Sequence, residues 1–321
     1  MKKLTLAISA IAAAFGASAA KADISVSGSG SAAYLNDASS NAKLNIGQGV
    51  SFSMSTTTAN GVTISGGMGL TQTITTNAAA GVTGGAKLTF ATGGATIVVG
   101  DVEAADTPGS VGGAVGGQIG DNGGFNSKVE TGMADDDGLG LSLSTAVGGS
   151  SLSVVYVAND NVDTLGTMNS STSGHDAITS ASITVPMGMY TVTAGVADSD
   201  SGESASGASI SAALGGGTLT VGYSLQTLVD GTSDATSSDL STSGDTTVTG
   251  ATYAMALDAD TTVTVGLQNA KDADNDSTSQ FDASVSRSLG GGASVFLDIR
   301  SLNGDATTSG SAVAVGTSVS F

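Results

Sequence analysis

The chain has 321 residues, and its 28 acidic and nine basic side chains give a formal net charge of −19 at pH 7. It contains no cysteine and one histidine, which excludes disulfide scaffolds, thiolate metal sites and most nucleophile–base pairs. Only 12% of the residues are charged whereas 40% are apolar, and the apolar residues alternate with small polar ones. This composition is typical of β-structure and not of a disordered chain. A nucleic-acid partner is not expected.

The amino terminus predicts a signal peptide at residues 1–22. Lys2 and Lys3 form a basic segment, residues 4–15 are apolar, and Ala20-Lys21-Ala22 matches an A-x-A cleavage site. The remainder, residues 23–321, is predicted to fold as one domain. No later segment is long enough for a membrane-spanning helix, which leaves either a soluble exported protein or a β-barrel of an outer membrane.

Sixteen segments show the period-two alternation of a strand with one apolar face. Their predicted bounds are 23–35, 43–56, 61–72, 84–92, 95–103, 138–147, 151–157, 177–185, 189–197, 205–214, 218–226, 246–257, 261–270, 279–289, 293–302 and 309–321.

The connections between these strands also alternate in length. Short turns are predicted at 57–60, 93–94, 148–150, 186–188, 215–217, 258–260 and 290–292. The eight longer loops, at 36–42, 73–83, 104–137, 158–176, 198–204, 227–245, 271–278 and 303–308, hold 21 of the 28 acidic residues. This arrangement predicts an all-β fold, a sixteen-stranded antiparallel up-and-down transmembrane β-barrel.

The alternation assigns a side of the wall to the four basic residues that lie in predicted strands. Lys43, Lys87 and Arg300 share the inner face with small polar residues, so the lumen should be aqueous, as a barrel of sixteen strands allows. Arg287 falls on the outer face close to a short turn, where its side chain can reach the membrane interface or a local bulge can redirect it. No tryptophan is present, so the aromatic girdles should be thin.

Four features together resemble the general porins of Gram-negative bacteria, most nearly the alphaproteobacterial type. They are the signal peptide, the sixteen strands, the run Gly100-Asp-Val-Glu-Ala104 that opens a long loop after strand five, and the terminal Phe321. The resemblance implies an outer-membrane location, contact with outer-membrane lipid, a homotrimer, and a third loop that folds into the pore opposite basic residues. By that resemblance Glu103, Asp106 and Asp121 are candidates for the acidic side of a pore constriction, and Lys43, Lys87 and Arg300 for the basic side.

The expected function is therefore a passive, water-filled channel for small hydrophilic solutes and ions, with mild cation preference from the acidic loops. No enzymatic activity and no cofactor are expected, and His175 is expected to be a surface residue. Weak Ca²⁺ binding by acidic loops such as 271–276 stays open, although EF-hand spacing is absent. The alternative is a secreted, calcium-dependent β-solenoid adhesin or surface-layer protein, which would consist of parallel stacked repeats.

Overall fold

The structure is a computed structural model that describes residues 23–37, 43–74, 81–83, 87–103, 137–158, 177–200, 202–228, 244–274, 276–304 and 309–321. These residues form 17 strand segments in one sheet. The segments are β1 (Asp23–Asp37), β2 (Lys43–Thr57), β3 (Thr63–Ile74), β4 (Gly81–Thr83), β5 (Lys87–Ala91), β6 (Ala95–Glu103), β7 (Asp137–Val147), β8 (Ser150–Val157), β9 (Ile178–Met187), β10 (Tyr190–Ser199), β11 (Ser204–Leu214), β12 (Gly217–Leu228), β13 (Gly244–Ala256), β14 (Thr261–Lys271), β15 (Ser277–Gly290), β16 (Ala293–Gly304) and β17 (Gly310–Ser320).

The sheet closes into a barrel of sixteen strands. Apart from β4 and β5, consecutive segments pair antiparallel, and β1 pairs with both β2 and β17, so the first and last strands complete the ring. β4 and β5 both pair with β3 and together make the fourth barrel strand. Antiparallel pairing between the described strands excludes the parallel stack of a β-solenoid, so the alternative adhesin architecture is wrong.

The fourth strand departs most from its predicted bounds, whereas the other strands begin and end within two residues of theirs. Residues 81–83 were expected to lie in a loop, but Gly81, Val82 and Thr83 pair with β3. Between the pairs Gly69↔Thr83 and Ser65↔Thr89 the chain advances four residues on β3 and six on its partner, so the register shifts by two. Such shifts are tolerated where a strand bends along a barrel wall.

The short turns all lie at one end of the barrel, as predicted. Two of them consist of a glycine pair, Gly148–Gly149 and Gly215–Gly216, and all four residues have φ between 57° and 87°. A two-residue hairpin turn of type I′, which matches the twist of its strands, needs positive φ at both positions, and glycine adopts it at no steric cost. The predicted long loops connect the opposite strand ends.

The two faces of the wall differ as the alternation predicts. On β16, for example, Val295, Leu297 and Ile299 are exposed on the outer face, whereas Asp298 and Arg300 are buried on the inner face. The outer face forms an apolar band around the barrel. No helix among the described residues is long and apolar enough to cross a membrane.

The C-terminal residue completes the closure at the short-turn end. The backbones of Gly28 and Phe321 exchange two hydrogen bonds, of 2.7 and 3.0 Å. The Phe321 ring lies directly over Gly28, where a Cβ atom would come within 2.3 Å of it. A side chain at this position would therefore require the exposed Phe321 ring to turn away.

Candidate functional site

The inner wall at the short-turn end is lined by hydroxyl groups. The cross-strand register places ten serine and threonine side chains on the inner face. They form five pairs, and each pair joins two adjacent strands. We call them the hydroxyl collar: Thr57–Thr63 (3.2 Å between hydroxyl oxygens), Ser144–Ser153 (3.4 Å), Thr184–Thr193 (3.1 Å), Ser211–Thr220 (2.8 Å) and Ser294–Ser318 (2.7 Å). Small neutral polar groups on the inner face of a wide barrel favour a water-filled lumen.

The inner wall nearer the long loops is different, because many of its side chains are buried. Two apolar clusters lie there. One consists of Val102, Val155, Val157, Ile178, Ala197 and Ala205, with Val98 packed against it. The other consists of Leu35, Leu302, Ala312 and Ala314, with Phe296 packed against it. The alternation predicts small polar and basic side chains on this face, and these apolar clusters were not predicted.

A buried ion pair lies between strands β15 and β16 at this level. Arg300 Nε donates to Asp282 Oδ1 at 2.8 Å, and both side chains are 0% exposed. Asp282 also accepts a hydrogen bond from Gln280 Nε2, and Asp298 accepts one from Ser284 Oγ at 2.7 Å. Arg300 Nη1 and Nη2 have no hydrogen-bond partner among the described residues. The Arg300 guanidinium is therefore held at the inner wall by its ion pair with the Asp282 carboxylate.

The structure places the three candidate basic residues in different surroundings. Lys87 is exposed on the inner face, opposite Gly100, which has no side chain to cover it. Arg300 is on the inner face but buried against Asp282. Lys43 is the first residue of β2, paired with Leu35, and its side chain lies outside the described part. Lys87 is thus the one of the three whose charge is seen to face the lumen.

The candidate acidic residues lie largely outside the described residues. Glu103 ends β6 and pairs through its backbone with Asp137, but its side chain is not described. Asp106 and Asp121 fall in the undescribed range 104–136, as does most of the third loop. The proposed constriction therefore stays a prediction.

Arg287 on the outer face reaches the short-turn rim. Its Nη1 donates to Thr261 Oγ1 at 2.8 Å and to Asp258 Oδ2 at 3.3 Å, and both members of the ion pair are 52% exposed. The register shift in this strand lies between Ser288 and Gly290, beyond Arg287, so a bulge does not redirect the side chain. The arginine stays outward and extends to the membrane interface.

The turn that holds Asp258 keeps this carboxylate charged. The backbone N–H of Asp260 donates to Asp258 Oδ1 at 2.9 Å. This hydrogen bond, followed by the Thr261 hydroxyl and with a smaller share from the Arg287 charge, holds the pKa of Asp258 below its ordinary value.

The acidic loop at 271–276 uses a carboxylate to form its own turn. Asp272 Oδ1 accepts the backbone N–H groups of Asp274 (3.0 Å) and Asp276 (2.9 Å). Within the ranges that the structure describes, no group of three histidine or acidic side chains is placed to hold a metal ion.

A closed sixteen-stranded antiparallel barrel with an apolar outer band and a polar inner wall defines a transmembrane β-barrel channel. The model of the Gram-negative porin family matches residues 7–307, so the chain belongs to that family. It is a non-enzymatic channel of the outer membrane. Among curated proteins none matches the sequence.

Solved porin structures share this fold at low sequence identity. A porin refined at 1.8 Å resolution matches with a TM-score of 0.67 at 17% identity, over 93% of this chain and 100% of that one. A triple mutant of the Rhodopseudomonas blastica porin matches with a TM-score of 0.61 at 17% identity, over 93% and 100%. OmpT of Vibrio cholerae, in its trimer form, matches with a TM-score of 0.68 at 9% identity, over 94% and 99%.

Proposed function

We propose that this porin is a passive diffusion channel for small hydrophilic solutes and ions, with mild cation preference. The hydroxyl collar is the observation that carries the proposal, because it offers water and solutes a polar wall without a binding pocket. Cation preference would come from the acidic residues of the long loops. Ionic screening limits that effect to about 8–10 Å at ordinary salt, so the preference should fade as the salt concentration rises.

We further propose a constriction between the third loop and the opposite inner wall. Glu103, Asp106 and Asp121 would supply its acidic side, and Lys43 and Lys87 its basic side. Burial of inner-face residues such as Ala312 and Ala314 supports the proposal, because a bare barrel wall would leave that face open to the lumen.

Arg300 fits the constriction less well than the lysines do. Its charge is opposed by Asp282 at 2.8 Å, and such pairing cancels most of its field at a distance. We therefore expect Arg300 to stabilise the barrel wall and Lys87 to interact with ions that pass through the lumen.

We propose a homotrimer that uses the outer face of β1 to β3. In the middle of β1, Gly30 and Ala32 leave the outer face almost without side chains between the Phe321 ring, which covers Gly28, and Tyr34, so a second copy could approach closely there. On the neighbouring strand, Ile46 and Val50 continue this outer face. The trimer form of the Vibrio cholerae protein agrees with this proposal.

Residues 1–22 are proposed to be a signal peptide that is removed on export, which leaves 23–321 as the barrel domain. The alphaproteobacterial type is proposed from the run at residues 100–104. The Rhodopseudomonas blastica likeness, which shows the fold alone, is compatible with it. Weak binding of divalent cations by the acidic loops is proposed from the sequence alone.

Reconstitution into planar bilayers tests the function. Single-channel recording under a KCl gradient should give a reversal potential of cation-preferring sign that shrinks in concentrated salt, and swelling of proteoliposomes should show uptake of small sugars. Anion preference would refute the selectivity proposal. An unboiled sample that runs as a monomer on a gel would refute the trimer.

A further inference from the structure

The short-turn end of the lumen is neutral as well as hydrophilic. The inward positions nearest the short turns are mainly serine, threonine, glycine and alanine, and the hydroxyl collar lies among them. Among the described residues in the two lowest inward rows, Asp23 at the very start of β1 is the one charged side chain. At the rim, Arg287 and Asp258 form an exposed ion pair, whereas Asp260 in the same turn and the terminal carboxylate of Phe321 add negative charge, so the neutral part of this end is the collar itself.

Charge is concentrated at the other end of the barrel. In the long loops and the strand ends beside them, one described side chain is basic, Lys271, and seven are acidic: Asp198, Asp200, Glu203, Asp245, Asp272, Asp274 and Asp276. On the described inner face, Lys87 and the cluster of Asp282, Asp298 and Arg300 all lie beyond the collar, on the long-loop side. At 0.1 M salt the screening length is about 10 Å, which is shorter than the barrel is tall, so the field of the acidic end does not fill the collar.

We infer that the channel is electrically asymmetric: a charge-selective long-loop half is joined in series to a neutral, hydroxyl-lined vestibule. This inference rests on the channel function. Ion selectivity is decided in the long-loop half, and the vestibule admits cations, anions and neutral solutes alike.

Such a pore conducts unequally in the two directions at low salt. When cations are driven from the acidic end into the vestibule, anions arriving from the opposite side are held back there, so both ions accumulate and the current rises. With the opposite voltage both ions are depleted from the vestibule and the current falls. We expect a current ratio on the order of 1.5 at ±100 mV in 0.1 M KCl. It should approach 1 in 1 M KCl, where the screening length is about 3 Å.

Charge added to the vestibule tests the inference without any need to know the orientation of the channel. The chain has no cysteine, so Ser144→Cys creates a unique thiol on an exposed position of the collar. A sulfonate-bearing thiol reagent makes both ends negative and should reduce the current ratio towards 1. A trimethylammonium-bearing reagent makes the ends opposite in sign and should increase the ratio in its original direction.

The matched control is Leu143→Cys, the adjacent residue of β7, which faces outward. The same reagents should leave its current ratio unchanged. A symmetric current in low salt, or equal effects of both reagents at Ser144→Cys, would overturn the inference while leaving an open channel. Absence of any conductance would instead contradict the channel function itself.

Discussion

The buried ion pair of Arg300 and Asp282 should be the most sensitive point of the wall. Replacing one partner, as in Arg300→Leu, leaves a carboxylate without its cation in a site where both side chains are 0% exposed. Breaking a buried pair in this way costs about 3–5 kcal/mol. Since about 1.4 kcal/mol is a factor of ten, the ratio of folded to unfolded protein should fall by about a hundred- to several-thousand-fold. The loss should appear as a lower urea concentration at half-unfolding in lipid vesicles.

A double-mutant cycle separates the ion pair from simple loss of packing. Arg300→Leu combined with Asp282→Leu removes both charges, so the double variant should lose less stability than the two single variants added together. Arg287→Leu removes the arginine of the exposed rim pair and should change the midpoint little. Strictly additive single effects, or an Arg300→Leu variant as stable as Arg287→Leu, would refute the reasoning.

Three further changes test the closure, the oligomer and the rim. Gly28→Ala places a Cβ atom about where the Phe321 ring lies, so the folded barrel should dissociate or unfold at a lower temperature on unboiled gels. Ala32→Trp should disrupt the proposed trimer, whereas Ala208→Trp, on the outer face of β11, should not. The pKa of Asp258 is lowered, so its turn hydrogen bond is present above the ordinary aspartate range and is lost as the pH falls through the lowered value. Amide exchange at the turn should therefore accelerate only in strong acid, and Asp258→Asn should remove that pH dependence.

Each of these has an internal control. At Gly30 a Cβ atom would meet its nearest neighbour, Val319, at 3.3 Å, so Gly30→Ala should be milder than Gly28→Ala, and equal losses would contradict the argument from the ring. If both tryptophan variants stayed trimeric, the interface would have to lie elsewhere. The amide exchange rate at the turn could also depend on pH in the same way with and without Asp258. That result would show that the Asp258 carboxylate does not stabilise the turn.

The strands could be predicted because each of them carries its own signal. In β2 the apolar residues from Leu44 to Met54 fall on alternate positions, and an outer face in lipid demands that pattern in every strand. The turn at Gly148–Gly149 could be predicted as well, because a glycine pair between two alternating segments is a local signal. The short segment β4 could not, since its three residues depend on pairing with β3 for their conformation.

The surroundings of individual charges could not be predicted from the same alternation. Arg300 was expected to line the lumen beside Lys87, and both do lie on the inner face. Only the register between β15 and β16 brings Asp282 opposite Arg300 and makes it an ion pair. An acidic and a basic residue at inward positions of adjacent strands was a signal available in the sequence, but it is ambiguous until the register is known.

The sequence by itself determined the barrel: its alternation, turn glycines and loop lengths allow few other ways to satisfy every backbone group in a membrane. Tertiary structure alone decided which inward residues are buried or exposed, and hence that Lys87 faces the lumen while Arg300 is held by Asp282. The physical reason is that alternation is a property of one strand, whereas burial and charge pairing depend on neighbours that are distant in the chain.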